Sequence, residues 1–259
     1  MRRKLTADTV SAPKRALFFL REGIDTVSTI CYHQVADTVS TVLGHPQTKG
    51  SVMVKGTPEL IAGRREEIIG ACERLYQTMS FKEITLKEIG NEVSFSRPTI
   101  YNYFHTKEEI FLALFEREYK RWNEELSAIL GNHESLSASA LADLIAGSLA
   151  RRPQLLKLLA MNNYDMEAES RPELLASFKT AYGRSLELVR SLLEKFCPEM
   201  SGEDIRGFIY VFFPFMFGIY PYAAVTDKQK EAMKTAGVDF FYQTVYGITN
   251  RCLIRLLGE

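Results

Sequence analysis

The stretch over residues 85–109, TLKEIGNEVSFSRPTIYNYFHTKEE, admits few structures. Ile89 with Val93 and Ile100 with Phe104 stand four apart, and each pair gives a short helix one narrow inward stripe. Thr85, with Glu88 three residues on, makes a capping box for the first helix. Ser94-Phe95-Ser96 breaks the period, and Ser96 is placed to cap a second helix whose first turn tolerates Pro98. The pattern predicts two short helices at a steep angle, a brief turn between them, and a third helix beginning at Thr106-Lys107.

With Ile100 and Phe104 turned inward, Arg97, Thr99, Tyr101, Asn102 and Tyr103 are left to face outward. That set suits a DNA major groove. Arg takes guanine edges, Asn pairs with adenine, and Thr and Tyr meet thymine methyls or phosphates. Lys107 at the next helix start predicts a phosphate clamp made of an ammonium and a helix N-terminus. The plainer alternative is a three-helix packing unit with a polar outer face.

From residue 64 to 121 the chain resembles the DNA-binding domain of TetR-family transcriptional regulators, on the run Thr99-Ile100-Tyr101-Asn102-Tyr103-Phe104 followed by Lys107-Glu108-Glu109-Ile110. The resemblance implies that Lys87, Arg97, Pro98, Thr99 and Tyr101 reach bases, while Thr85, Asn102, Tyr103 and Lys107 hold phosphates. Two departures stand out. Ser94 occupies the usual place of the turn glycine, so that turn must form without a positive φ. Gly90 replaces a usual alanine, which is expected to loosen its helix by about 1 kcal/mol.

Composition narrows the alternatives. Equal basic and acidic counts leave a net charge of zero, so any hold on nucleic acid must come from a local patch. Over the domain 58–121 acidic side chains outnumber basic ones by eleven to ten, which predicts specific rather than sticky binding. Cys31, Cys72, Cys197 and Cys252 lie too far apart for a metal knuckle or a redox pair. No HExxH, phosphate-cradling loop or nucleophile elbow is present, and no acid, base and nucleophile set converges. The reading therefore assigns no catalytic residue, metal or cofactor.

Residues 1–52 are rich in Thr, Ser and Val and show no sustained helical period. Residues 1–57 are expected to be a disordered arm or an extension from a misassigned start at a chain that naturally begins near Met53. Asp-Thr-Val-Ser occurs at 8–11, 25–28 and 37–40. Its codons permit GAT-ACN-GTA-TC, an inverted repeat of about eleven nucleotides, the symmetry that a dimeric helix-turn-helix protein reads. The segment is thus expected to encode operator sequence.

Helical spacing predicts further helices over 64–79, 108–130, 135–150, 153–163, 172–196 and 238–257. Asn162 and Asn163 end an apolar helix, either as a cap or as polar groups aimed into a cavity. Residues 207–225 run nineteen positions without a charge, the length of a membrane span. Pro214, Gly218, Pro221 and scattered tyrosines argue instead for a buried helix, with Phe208, Phe212, Phe215, Met216 and Tyr220 as candidates to line an apolar ligand pocket.

The expectation is an all-α protein with a DNA-binding domain over 58–121 and a ligand-binding and dimerisation domain over 122–259. By the resemblance, the last two long helices pair with their copies in a second subunit. The function expected is a cytoplasmic, ligand-responsive repressor, a homodimer on double-stranded DNA released by a small apolar effector. The alternative is a membrane-associated helical protein anchored by 207–225.

Overall fold

The computed structural model describes residues 56–161 and 163–258. The expectations for the first 55 residues, for Asn162 and for the side chain of Asn163 lie outside the described residues. Eleven α-helices and no strands make up the described residues.

Helix α1 (Pro58–Thr78) begins six residues before the expected start. Thr57 Oγ1 accepts a hydrogen bond from the Leu60 amide at 3.3 Å, and Pro58 fills the first position, where an amide has no partner anyway. Helices α2 (Leu86–Asn91) and α3 (Arg97–Ile100) follow. Helix α4 (Lys107–Asn132) is capped by Thr106 and buries Ile110, Phe111, Leu114, Phe115, Tyr119, Trp122, Leu126 and Ile129, the stripe expected from spacing. Glu73 of α1 lies between Arg117 and Arg121 of α4, 2.8 Å from each, and fixes the angle between the two helices.

The remaining helices wrap the distal part of α4. Helices α5 (Ala138–Ala150) and α6 (Pro153–Leu159) are split at Arg151-Arg152, both paired with Glu125 of α4. The helix expected to run to Asn163 stops at Leu159, and a short α7 (Asn163–Ala168) follows. Helix α8 (Pro172–Phe196) has the expected limits and lies along α4. The two share an aromatic layer in which Phe115 and Tyr119 stack at 5.1 Å and Phe178 lies 4.9 Å from Phe115. Two buried polar pairs tie this interior together. Trp122 Nε1 donates to Ser148 Oγ at 2.9 Å, and Ser185 Oγ donates to Asn123 Oδ1 at 2.7 Å.

The charge-free run falls on α9 (Gly202–Ala223) up to its last residue and leaves the helix at 224–225; α9 opens with a Ser201–Asp204 capping box. Pro214 and Pro221 do not break it. Both are exposed, on the side of the helix away from the core. Ile205, Phe208, Ile209, Phe212, Phe213, Met216 and Ile219 form its buried face, packed on α6, α8 and the last helix. Among the described residues, no single helix is long and apolar enough to cross a membrane.

The chain end differs from the expected single helix over 238–257. A polar helix, α10 (Asp227–Thr235), comes first and ends at Gly237, whose φ of 65° is the left-handed value that glycine adopts without strain. An irregular segment then carries Phe240 and Phe241 before α11 (Val245–Leu256). Spacing alone read the apolar residues at 238–241 as one more helical turn.

Candidate nucleic-acid interface

Only one regular α-helical turn forms at α3, but the chain keeps turning after it. The Tyr103 and Phe104 amides both donate to the Ile100 carbonyl, at 2.9 and 3.0 Å. Ile100 and Phe104 are fully buried and anchor this element to the core. Arg97, Pro98 and Asn102 are exposed, and Tyr101 is 44% exposed. Thr99 is half-buried, its hydroxyl 3.1 Å from Ser96 Oγ, and Ser96 makes no side-chain cap to the backbone. Thr85 and Lys87 on α2 are exposed as well, and Thr85 Oγ1 accepts from the Lys87 amide at 3.2 Å.

The two departures have physical answers here. A Cβ on Gly90 would lie 3.1 Å from Arg97 Cβ, tighter than an ordinary contact, so glycine relieves the crossing of α2 and α3 by a few tenths of an ångström. The expected loosening of α2 therefore accompanies a tight helix crossing. Ser94 reaches the turn without positive φ, since no non-glycine residue among those described adopts it. Instead Glu67 of α1 holds the turn: the Ser94 amide donates to one carboxylate oxygen, and Ser94 Oγ donates to the other at 3.1 Å. Arg64 and Arg65 lean over the Phe95 and Phe104 rings, each 5.4 Å from the centroid.

Two expected phosphate contacts face the wrong way. Tyr103 is 8% exposed, and its hydroxyl is buried without a hydrogen-bond partner. Position 103 falls on the inward side of the turn beside Phe104. Lys107 does not clamp outward either. Its Nζ donates to the Phe81 carbonyl at 2.9 Å and the Ile84 carbonyl at 3.3 Å, and it lies over the Phe81 ring. These carbonyls end the connection from α1 to α2, where no helix supplies donors.

Spacing also hid the acidic residue at the start of α4. Glu109 is 1% exposed and faces Arg171, the residue that begins α8. Burial alone would raise its carboxyl. Hydrogen bonds from the Arg171 side chain, from the His105 and Arg171 amides, and the Arg171 charge together hold it below the ordinary glutamate range. A buried partner so distant in sequence leaves no periodic signal.

Of the residues expected around an apolar ligand, Phe208, Phe212 and Met216 are packed in the core rather than lining an opening. Phe215 borders an open apolar groove of about 400 Å³ shared with Tyr222, Phe240 and Ile248, and Tyr220 is half-buried outside that lining.

Known proteins share this arrangement. The sequence pattern of bacterial regulatory proteins of the tetR family matches residues 68–114, and that of the tetracyclin repressor-like C-terminal domain matches residues 116–241. HTH-type transcriptional regulator EthR of Mycolicibacterium smegmatis is 36% identical over 58 residues, which spans 22% of this chain and 27% of that protein. Two solved structures share the fold. The fatty acid degradation regulator FadR of Bacillus halodurans is 17% identical, with a TM-score of 0.50 over 79% of this chain and 97% of that one. Bacillus subtilis FadR in complex with stearoyl-CoA is 16% identical, with a TM-score of 0.51 over 74% and 97%. Matched in sequence at its helix-turn-helix and at the helices that follow, the chain belongs to the TetR family of DNA-binding transcriptional regulators.

Proposed function

We propose that the protein is a cytoplasmic, ligand-responsive repressor that binds a palindromic operator as a homodimer. Residues 58–121 form its reading head and 122–259 its regulatory body. The observation that carries the reading is the recognition element itself. It is anchored through Ile100 and Phe104, and it presents Arg97, Pro98, Tyr101 and Asn102 to the solvent in the chemistry that base edges require. Lys87 and Thr85 extend that surface toward the phosphates.

Dimerisation through α9 and α11 is supported by what they leave uncovered. Val211, Phe217 and Tyr222 of α9 and Tyr246 of α11 are exposed, more apolar surface than one protomer covers. An isologous contact there places two heads on one two-fold DNA site. A small apolar effector fits the body, either between Phe215 and the groove or by displacing the packing of Phe208, Phe212 and Met216 under Tyr220, with Asn162 and Asn163 as candidate polar contacts. It would favour a head spacing that does not match the operator, and release follows from its better fit to that state.

The experiment is a gel shift of the full chain on the DNA encoding residues 1–52, with its three candidate inverted repeats, and on the DNA upstream of the gene. Retardation that survives nonspecific competitor is expected, and loss of it on adding an apolar ligand, with long-chain fatty acid as the first probe and stearoyl-CoA as the second because a protein of this fold is known with it. Absence of retardation on every fragment sinks the reading.

A further inference from the structure

Base reading does not require the third residue of α4 to be buried, yet Glu109 is, and all its acceptor positions are used. Its Oε1 accepts from the Arg171 amide at 3.2 Å and from Arg171 Nε at 2.7 Å. Its Oε2 accepts from Arg171 Nη2 at 3.0 Å and from the His105 amide at 2.7 Å. The same Nη2 donates to the carbonyl of Tyr103 at 2.9 Å. One residue away, Thr106 Oγ1 donates to the Glu169 carbonyl at 3.2 Å. Residues 169–171, which lead into α8, are thereby fastened to residues 103–109, which lead out of the recognition element.

We propose that Arg171 is a positioning residue through which α8 sets the orientation of the recognition element. The inference rests on the reading of the protein as an effector-responsive regulator. Tyr103 O lies between α3 and α4, where no helical ladder supplies a donor, and the planar fork of a guanidinium can serve Glu109 and that carbonyl at once. Two residues before Tyr103 stands the exposed Tyr101, so what fixes the carbonyl fixes the pitch of the outer face.

The far end of the connection is equally defined. Arg171 caps a helix of 25 residues. Phe178 and Tyr182 on that helix pack on Phe115 and Phe213, with ring centroids 4.9 and 5.8 Å away. A ligand that re-packs this aromatic layer shifts α8 as a rigid rod, and the shift reaches Tyr103 O through one side chain. A buried ion pair adds little net stability over an apolar pair of similar volume. Its replacement therefore separates folding from positioning.

The test uses the full chain and three variants, Arg171→Met, Glu109→Met and the double variant, each with a thermal melt, gel-shift affinity and amide exchange without DNA. Arg171→Met leaves the buried Glu109 unmatched and is expected to melt lowest, whereas Glu109→Met leaves a partly exposed Arg171 that water can serve. The double variant is expected to recover part of the loss in Arg171→Met, since the His105 and Arg171 amides and the Tyr103 carbonyl still lose their partners. It should nonetheless bind the DNA shifted by the wild type about tenfold more weakly, the loss expected for a hydrogen bond from a charged donor. In Arg171→Met, which keeps Glu109 as the acceptor of the His105 amide, peptides covering 97–106 should exchange faster, while those of α5 and α11 stay unchanged. Wild-type affinity in the double variant together with slow exchange of 97–106 in Arg171→Met would show a merely structural pair and overturn the proposal. If the wild type shifts no DNA, the regulator reading fails, and the exchange of 97–106 still decides the role of Arg171.

Discussion

Lys107 Nζ lies 2.9 Å from the carbonyl oxygen of Phe81 and 4.1 Å from the centroid of the same residue's ring. One side chain thus ties the first residue of α4 to the connection that precedes α2. A basic residue at this point of a DNA-binding domain invites a phosphate assignment, but two of its three donors are bonded to the Phe81 and Ile84 carbonyls and the ammonium rests on the Phe81 ring. Lys107→Ala should lower stability by about 1–2 kcal/mol and weaken DNA binding only through the displaced α2. The salt dependence of binding distinguishes the two roles. A direct phosphate contact would reduce its slope by about one on loss of the lysine, whereas a staple leaves the slope as it was.

Arg97→Ala and Tyr101→Ala remove side chains whose polar ends face the solvent. Each should leave the melting temperature within about 0.5 kcal/mol of wild type and weaken operator binding by about 1–3 kcal/mol. Competition with point-substituted operators should show relaxed preference at single base pairs. Unchanged affinity in both would contradict the assignment of α3.

Glu67 stands in for the missing turn glycine. Glu67→Ala strips two acceptors from Ser94, which water partly replaces at this exposed site, so the expected cost is about 0.5–1.5 kcal/mol. DNA affinity should fall further than stability does. Pairing the substitution with Ser94→Gly, which restores a turn that needs no such brace, should recover part of the binding in a gel shift.

Acid should act through Glu109. Its folded-state carboxyl lies below the unfolded one, so its contribution is complete above the ordinary glutamate range, about pH 4.3, and is lost as pH falls through the depressed value. Glu109→Gln removes that pH-dependent part. Denaturant unfolding of wild type and variant, compared from pH 7 downward, should show curves that converge below the ordinary glutamate range.

The sequence made helical periods and caps legible because both are local. The eight inward positions of α4 and the limits of α8 follow from spacing and from Pro172 and Pro198 at the two ends. The Thr57-Pro58-Glu59 start of α1 was equally local and readable. Contacts between distant segments were not: Glu67 with Ser94, Glu109 with Arg171 and Lys107 with Phe81 leave no mark on periodicity. Tyr103 is different, because its signal is local and the outward assignment misreads it. Three residues after the inward Ile100, it falls about 60° from it on a helical wheel and on the far side from Tyr101, and the ring is indeed turned in.

A recognition element of one α-helical turn cannot hold its own shape in water, so this one borrows it from Ile100, Phe104, Gly90 and the brace at Ser94. The groups that give the element its form are therefore different from those that would choose a target. Mutation can rewrite Arg97, Pro98, Tyr101 and Asn102 for a new site at small folding cost, and a duplicated gene could acquire a new regulon by changing the outer letters alone.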